Sequence, residues 1–135
     1  MNRAKIDGIV LRTFEPGLTQ QENYDKVKAL INSKTKVIAL PHITCTTGLV
    51  FPIKEICELA KQKNIFTAID GAHSAGTFDL DLNELGCDFY SMCGHKWLLG
   101  PGGSGFLYVR EELLDTLQVY HVGAYSDAGW DLYSN

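Results

Sequence analysis

The segment Ile65-Phe66-Thr67-Ala68-Ile69-Asp70-Gly71 decides the fold. Its first five residues form a short β-prone run, and the Asp-Gly pair breaks it. Just upstream, Pro52 to Lys63 places Ile53, Ile56, Cys57 and Ala60 at the i, i+3, i+4, i+7 spacing of one helical face, and Asn64 ends the helix. Before that helix, Lys36-Val37-Ile38-Ala39-Leu40 reads as a buried strand halted by Pro41, followed by a small, polar loop from His42 to Gly48. Strand, helix, strand is the unit of a parallel sheet, so the chain is expected to be α/β with a mainly parallel sheet.

The same reading extends to both ends. Ile9 to Thr13, after Gly8, is expected to be a strand, and Pro16-Gly17 a turn. Thr19 and Glu22 form a capping box for a helix reaching about Asn32, with Tyr24, Val27, Leu30 and Ile31 inward. Downstream, Asp81 to Leu85 suits a short helical turn closed by Gly86, and Cys87 to Ser91 a strand. Gly100 to Gly105 is expected to be an irregular loop, Phe106 to Val109 a strand and Glu111 to Leu117 a short helix. The tail from Gln118 has no clear period.

Composition removes several function classes. The 135 residues carry a net charge of −4, which argues against a nucleic-acid backbone binder. There is no apolar run of about 18 residues, hence no expected membrane span. Residues 1–7 lack the apolar stretch of a signal peptide, so reduced thiols and a cytoplasmic location are expected. The four cysteines, Cys45, Cys57, Cys87 and Cys93, show no zinc spacing. A metal site built from His42, Cys45, His73 and Cys93 has no support in the spacing, and no metal is expected.

Ligands of such sheets bind beyond the carboxyl ends of the strands. That rule selects His42–Gly48, Asp70–Gly76, Ser91–Lys96 and the glycine loop, which are also the polar and unusual segments. Asp70 reads either as a turn aspartate or as a carboxylate that holds a proton on a ligand nitrogen. His73 reads as an ordinary histidine or as a donor to a ligand oxygen. Lys96, between a strand and a glycine loop, reads as a surface lysine or as an amine that forms an imine with a carbonyl. The Gly100–Gly105 loop lacks the ending of a P-loop and is a weak phosphate signal.

Taken together, Asp70-Gly71-Ala72-His73 and the run from Cys87 through Gly94-His95-Lys96-Trp97 to Gly100-Pro101 resemble the class V aminotransferase family. These are fold-type I pyridoxal-phosphate enzymes that include cysteine desulfurases and isopenicillin-N-epimerase-like proteins. The resemblance covers nearly the whole chain and implies a three-layer α/β/α fold with a mainly parallel sheet. It implies that residues 1–135 are a partial cofactor-binding large domain, without its N-terminal part and C-terminal small domain. By position, Lys96 matches the Schiff-base lysine and Asp70 the carboxylate that pairs with the pyridine nitrogen. Ala72 matches the small residue against the ring, His73 a contact to the phenolic oxygen, and His95 a phosphate ligand.

Two positions depart from the family pattern. Cys93 stands where many relatives carry a Ser or Thr on the phosphate, which shifts that grip toward His95 or Ser91. Cys45 stands where desulfurases often carry an asparagine near the cofactor oxygen, and Thr44-Cys45-Thr46-Thr47-Gly48 looks more like the epimerase-like branch. The expected function is a pyridoxal-phosphate enzyme acting on a small-molecule amino acid through a Lys96 Schiff base, with a homodimeric parent, no nucleic acid and no membrane. The alternatives are desulfurase or lyase chemistry, a non-catalytic truncated fragment, and a phosphate-binding module centred on Gly100–Gly105.

Overall fold

The computed structural model describes residues 6–118. Four strands, β1 (Val37–Pro41), β2 (Phe66–Asp70), β3 (Phe89–Cys93) and β4 (Gly105–Val109), form one sheet in the order β1-β2-β3-β4. The first three run parallel, with Pro41 opposite Asp70 and Asp70 opposite Ser91. β4 runs antiparallel to β3, with Cys93 opposite Gly105. The expected α/β class with a mainly parallel sheet is therefore present. The carboxyl ends of β1, β2 and β3 and the start of β4 meet at one edge of the sheet. All four segments singled out in the sequence leave from that edge.

The helices are α1 (Gln20–Leu30), α2 (Ile53–Gln62) and α3 (Leu82–Leu85), followed by a 3-10 helix at Glu111–Thr116. α1 starts at the expected capping box: the Thr19 hydroxyl accepts from the Glu22 amide while the Glu22 carboxylate accepts from the Thr19 amide. α2 buries Ile53, Ile56, Cys57 and Ala60, the four residues its period predicts, and Leu59. α3 is capped by Asp81 and closed by Gly86 in the left-handed conformation.

One apolar core joins these helices to one face of the sheet. It contains Val27 of α1, Ile53, Ile56, Cys57 and Ala60 of α2, and Ile38, Ile69 and Tyr90 of the strands. Side chains alternate across a strand, so Val37, Phe66 and Leu107 point to the other face, where all three are exposed. Among the described residues, that second face is bare.

Four expectations need correction. Residues 9–13 are not a strand, and Ile9, Val10 and Leu11 are exposed. An apolar β-prone run becomes a strand only against a hydrogen-bonding neighbour, and none lies beside it among the described residues. The first helix ends at Leu30, short of Asn32; Val27 is buried and Tyr24 and Ile31 pack against the core as expected, but Asn23 is buried as well. Asn23 is buried because its Oδ1 accepts from the Gly17 amide and its Nδ2 donates to the Thr19 carbonyl. The third strand begins at Phe89, two residues after Cys87, and the last helix is a 3-10 turn. Residues 119–135, the greater part of the aperiodic tail, lie outside the described residues.

Candidate active site

The site is built on the turn after β2 and the loop between β3 and β4. Asp70 ends β2, and its Oδ1 accepts from the Ala72 amide at 2.9 Å. That short turn orients the carboxylate at the sheet edge, where it is exposed. Among the described residues nothing covers it. Ala72 and His73 follow, both half-buried.

Beneath this turn lies a buried polar chain. The Ser74 Oγ is 3.1 Å from the Gly71 carbonyl and 2.5 Å from the Tyr90 hydroxyl, and His42 Nδ1 lies 2.7 Å from the same hydroxyl. A carbonyl only accepts, so Ser74 donates to Gly71, Tyr90 donates to Ser74, and the His42 Nδ1–H donates to Tyr90. Every member of the chain has its partner, which is what burial demands. Burial lowers the His42 pKa and raises that of Tyr90 to about 12, so both stay neutral at ordinary pH. His42 thus serves the turn from below. Among the described residues, no three histidine, cysteine or acidic side chains are placed to share a metal ion.

The loop from Gly94 to Ser104 is folded on itself. The Gly94 amide donates to the Ser104 carbonyl at 2.9 Å, Gly100 to the Gly94 carbonyl at 2.8 Å, and Ser104 to the Pro101 carbonyl at 3.2 Å. Two N–H groups of the Gly100–Gly105 loop, those of Gly100 and Ser104, are therefore spent on the carbonyls of Gly94 and Pro101. Leu99 takes a left-handed conformation with φ of 56°, uncommon for a bulky residue and a mark of a tightly determined turn. The loop passes hard against the turn after β2. Gly76, with φ of 86°, has the Trp97 carbonyl oxygen 2.6 Å from where a Cβ would stand.

This passage brings Lys96 to His73. The Lys96 Nζ is 3.0 Å from His73 Nε2, and the Trp97 Nε1 donates to His73 Nδ1 at 3.3 Å. His95 points elsewhere, exposed, with its Nδ1 donating to the Ser104 carbonyl at 2.8 Å. A phosphate contact from His95 would have to come through Nε2, and would need a second proton there. Ser91 is exposed beside Asp70 in the register, and Cys93 is half-buried two residues on. Cys45 is exposed in the loop after β1. The structure thus unites Lys96 and His73 and sets Asp70, Ala72 and Ser91 at the same sheet edge; among the described residues no side-chain hydrogen bond joins Cys45 or Cys93 to that group. Sequence reasoning did not assign roles to Trp97, Ser74 or Tyr90.

The donor set suits an aromatic aldehyde with a basic ring nitrogen. It combines an amine, a carboxylate, an imidazole and a small alanine side chain at one sheet edge.

Comparison with known proteins places the chain in a family. The family model for aminotransferase class V matches residues 2–129. An isopenicillin N epimerase of Streptomyces clavuligerus is 42% identical over 118 residues, covering 85% of this chain and 30% of that protein. A probable cysteine desulfurase of Halalkalibacterium halodurans is 37% identical over 99 residues, covering 73% of this chain and 24% of the relative. Among solved structures, an apo cysteine desulfurase from Thermococcus onnurineus NA1 superposes with a TM-score of 0.77 at 28% identity, covering 91% of this chain and 30% of that one. A complex of the cystine C-S lyase C-DES with cysteine persulfide gives a TM-score of 0.69 at 35% identity, covering 74% of this chain and 27% of the other. The chain therefore spans about a third or less of the length of these relatives. With the family model matching nearly its whole length, the chain belongs to the class V aminotransferase family.

Proposed function

We propose that this chain is the central part of the cofactor domain of a longer pyridoxal-phosphate enzyme that acts on a small amino acid. The observation that carries the reading is the 3.0 Å contact between Lys96 Nζ and His73 Nε2, at the same sheet edge as Asp70. Bound pyridoxal phosphate supplies an electron sink for the electron pair left at an amino acid Cα. Lys96 is the residue to attach the cofactor aldehyde and then to carry a proton to or from the substrate Cα. Asp70, pre-oriented by the Ala72 amide, keeps the proton on the ring nitrogen. His73 orients the ring oxygen, Ala72 lies beside the ring, and His95 with Ser91 and Cys93 are the candidates for the phosphate. Cys45 is the candidate contact from the loop after β1.

The reading is supported by a family that contains epimerases and desulfurases and by a solved relative described with a PLP cofactor. The resemblance points further to a homodimer in the longer protein. The described residues contain no helix long and apolar enough to cross a membrane. Its free cysteines suit a reducing compartment such as the cytoplasm.

A second reading, desulfurase or lyase chemistry on a sulfur-containing amino acid, is favoured by the solved neighbours, which include desulfurases and a cystine lyase. The test starts with a visible spectrum of the purified chain with added pyridoxal phosphate, then borohydride reduction and peptide mapping. A stable band and an adduct at Lys96, both lost in Lys96→Ala, are expected. No band, or label scattered over surface lysines, assigns any catalysis to the longer protein alone. In that longer protein, exchange of the Cα hydrogen with deuterated solvent without sulfide release supports the first reading, and sulfide release the second.

A further inference from the structure

We infer that Trp97 is a positioning residue whose indole N–H holds the His73 proton on Nε2, so that the imidazole donates to the Lys96 amine. An indole nitrogen can only donate. The Trp97 N–H is directed at His73 Nδ1 at 3.3 Å, so Nδ1 must present its lone pair. A neutral imidazole then carries its one proton on Nε2.

Nε2 stands 3.0 Å from Lys96 Nζ. An ammonium has three donors and no acceptor, so with the proton on Nε2 two donors would face each other. The contact is satisfied when the Nε2–H points at the lone pair of a free amine. Trp97 thereby selects, through His73, the form of Lys96 that has an electron pair for a carbonyl. Without the indole N–H the opposite arrangement opens. The His73 proton can sit on Nδ1, and an ammonium at Lys96 can donate to Nε2.

The backbone supports this placement. The close approach of Gly76 to the Trp97 carbonyl sets the loop against the His73 turn. Trp97 itself is 56% exposed, so its side chain adds little to the core and its replacement leaves the fold intact. The proton placement stands on three side chains alone; its bearing on cofactor attachment rests on the reading proposed above.

The test is long-range nitrogen–proton NMR on the histidine-labelled full chain, at a pH where the imidazole is neutral. The unmodified chain is expected to show His73 protonated at Nε2 and bare at Nδ1. Trp97→Phe keeps the ring and removes the donor, and is expected to move the proton to Nδ1 in the larger share of molecules. Lys96→Met, which leaves Trp97 in place, is expected to retain the Nε2–H form. A proton on Nδ1 in the unmodified chain, an unchanged pattern in Trp97→Phe, or loss of the pattern in Lys96→Met overturns the inference. If the proton sits on Nε2 but no adduct forms at Lys96, cofactor attachment belongs to the longer protein alone and the inference stands.

Discussion

Gly71 lies flat against the ring of Tyr90: a Cβ at residue 71 would stand 1.9 Å from Tyr90 Cε1 and 2.4 Å from Cζ. No side chain fits there without moving the turn or the ring. Gly71→Ala is therefore expected to destabilise the chain by about 3 kcal/mol, the upper range for overpacking a core. The turn carrying Asp70 and His73 shifts with it. Urea unfolding checks the first outcome; loss of the His73–Lys96 contact by NMR checks the second.

Asp88 closes the opposite end of the sheet. Its Oδ2 accepts from the Thr67 amide at 2.7 Å and from the Thr67 hydroxyl at 3.1 Å, and its Oδ1 meets the Arg110 guanidinium at 2.8 Å. Asp88→Ala strands the buried Thr67 amide and leaves Arg110 with the longer 3.8 Å contact to Glu112. The expected loss is about 3 kcal/mol, the low end for breaking a buried ion pair because Arg110 is partly exposed. Equilibrium denaturation is the measurement. A change below about 1 kcal/mol would put the pair with ordinary surface bridges.

The buried chain under the Asp70 turn predicts a stability profile with two limbs. His42, held below its ordinary value of 6.5 by burial, contributes fully above that pH. As pH falls below it, the unfolded chain takes up the proton first and stability declines. Tyr90 acts in the other direction. Burial moves its phenol from 10.0 to about 12, so its contribution is complete below pH 10.0 and fades as pH rises toward 12. Tyr90→Phe keeps the ring, removes the hydroxyl, and is expected to cost about 1–3 kcal/mol while flattening this group's share of the alkaline limb. Denaturation midpoints across pH for both chains decide it.

The four cysteines should separate under thiol labelling. Burial raises Cys57 to about 12 and Cys87 to about 11, which removes their thiolates as well as access to them. Cys45 is exposed and Cys93 half-buried. Mass spectrometry with a maleimide is expected to find Cys45 modified first and Cys93 more slowly. Cys57 and Cys87 should react only on unfolding; early modification of either would contradict the packing of α2 on β2 and β3.

Periodicity reveals which face of an element is apolar, and where that face met a partner the sequence was read correctly. Ile53, Ile56, Cys57 and Ala60 are all buried, and the runs around Ile38, Ile69 and Tyr90 became strands within two residues of their expected limits. Ile9 to Thr13 shows the limit of that signal, because a strand is made by its neighbour and the apolar run does not report one. At the site, Asp70, His73 and Lys96 stood out by type and position after strands. Trp97 and Tyr90 did not, because each acts through one polar atom on an aromatic body. Only folded proximity shows whether that atom has found His73 or Ser74. Asn23 was missed for the same reason: its burial follows from two backbone groups its amide happens to reach.

The Tyr90 hydroxyl gives the sheet edge an unusual mechanical economy. One oxygen on the central β3 receives from His42, just past β1, and gives to Ser74, in the turn past β2. Fraying at either of those two places breaks a bond to the same atom and loosens the other. The ends of β1 and β2 therefore open and close as a single cooperative unit, and amide exchange at His42, Gly71 and Ser74 should share one opening free energy. Whatever binds at that edge meets a surface that is either wholly assembled or wholly undone.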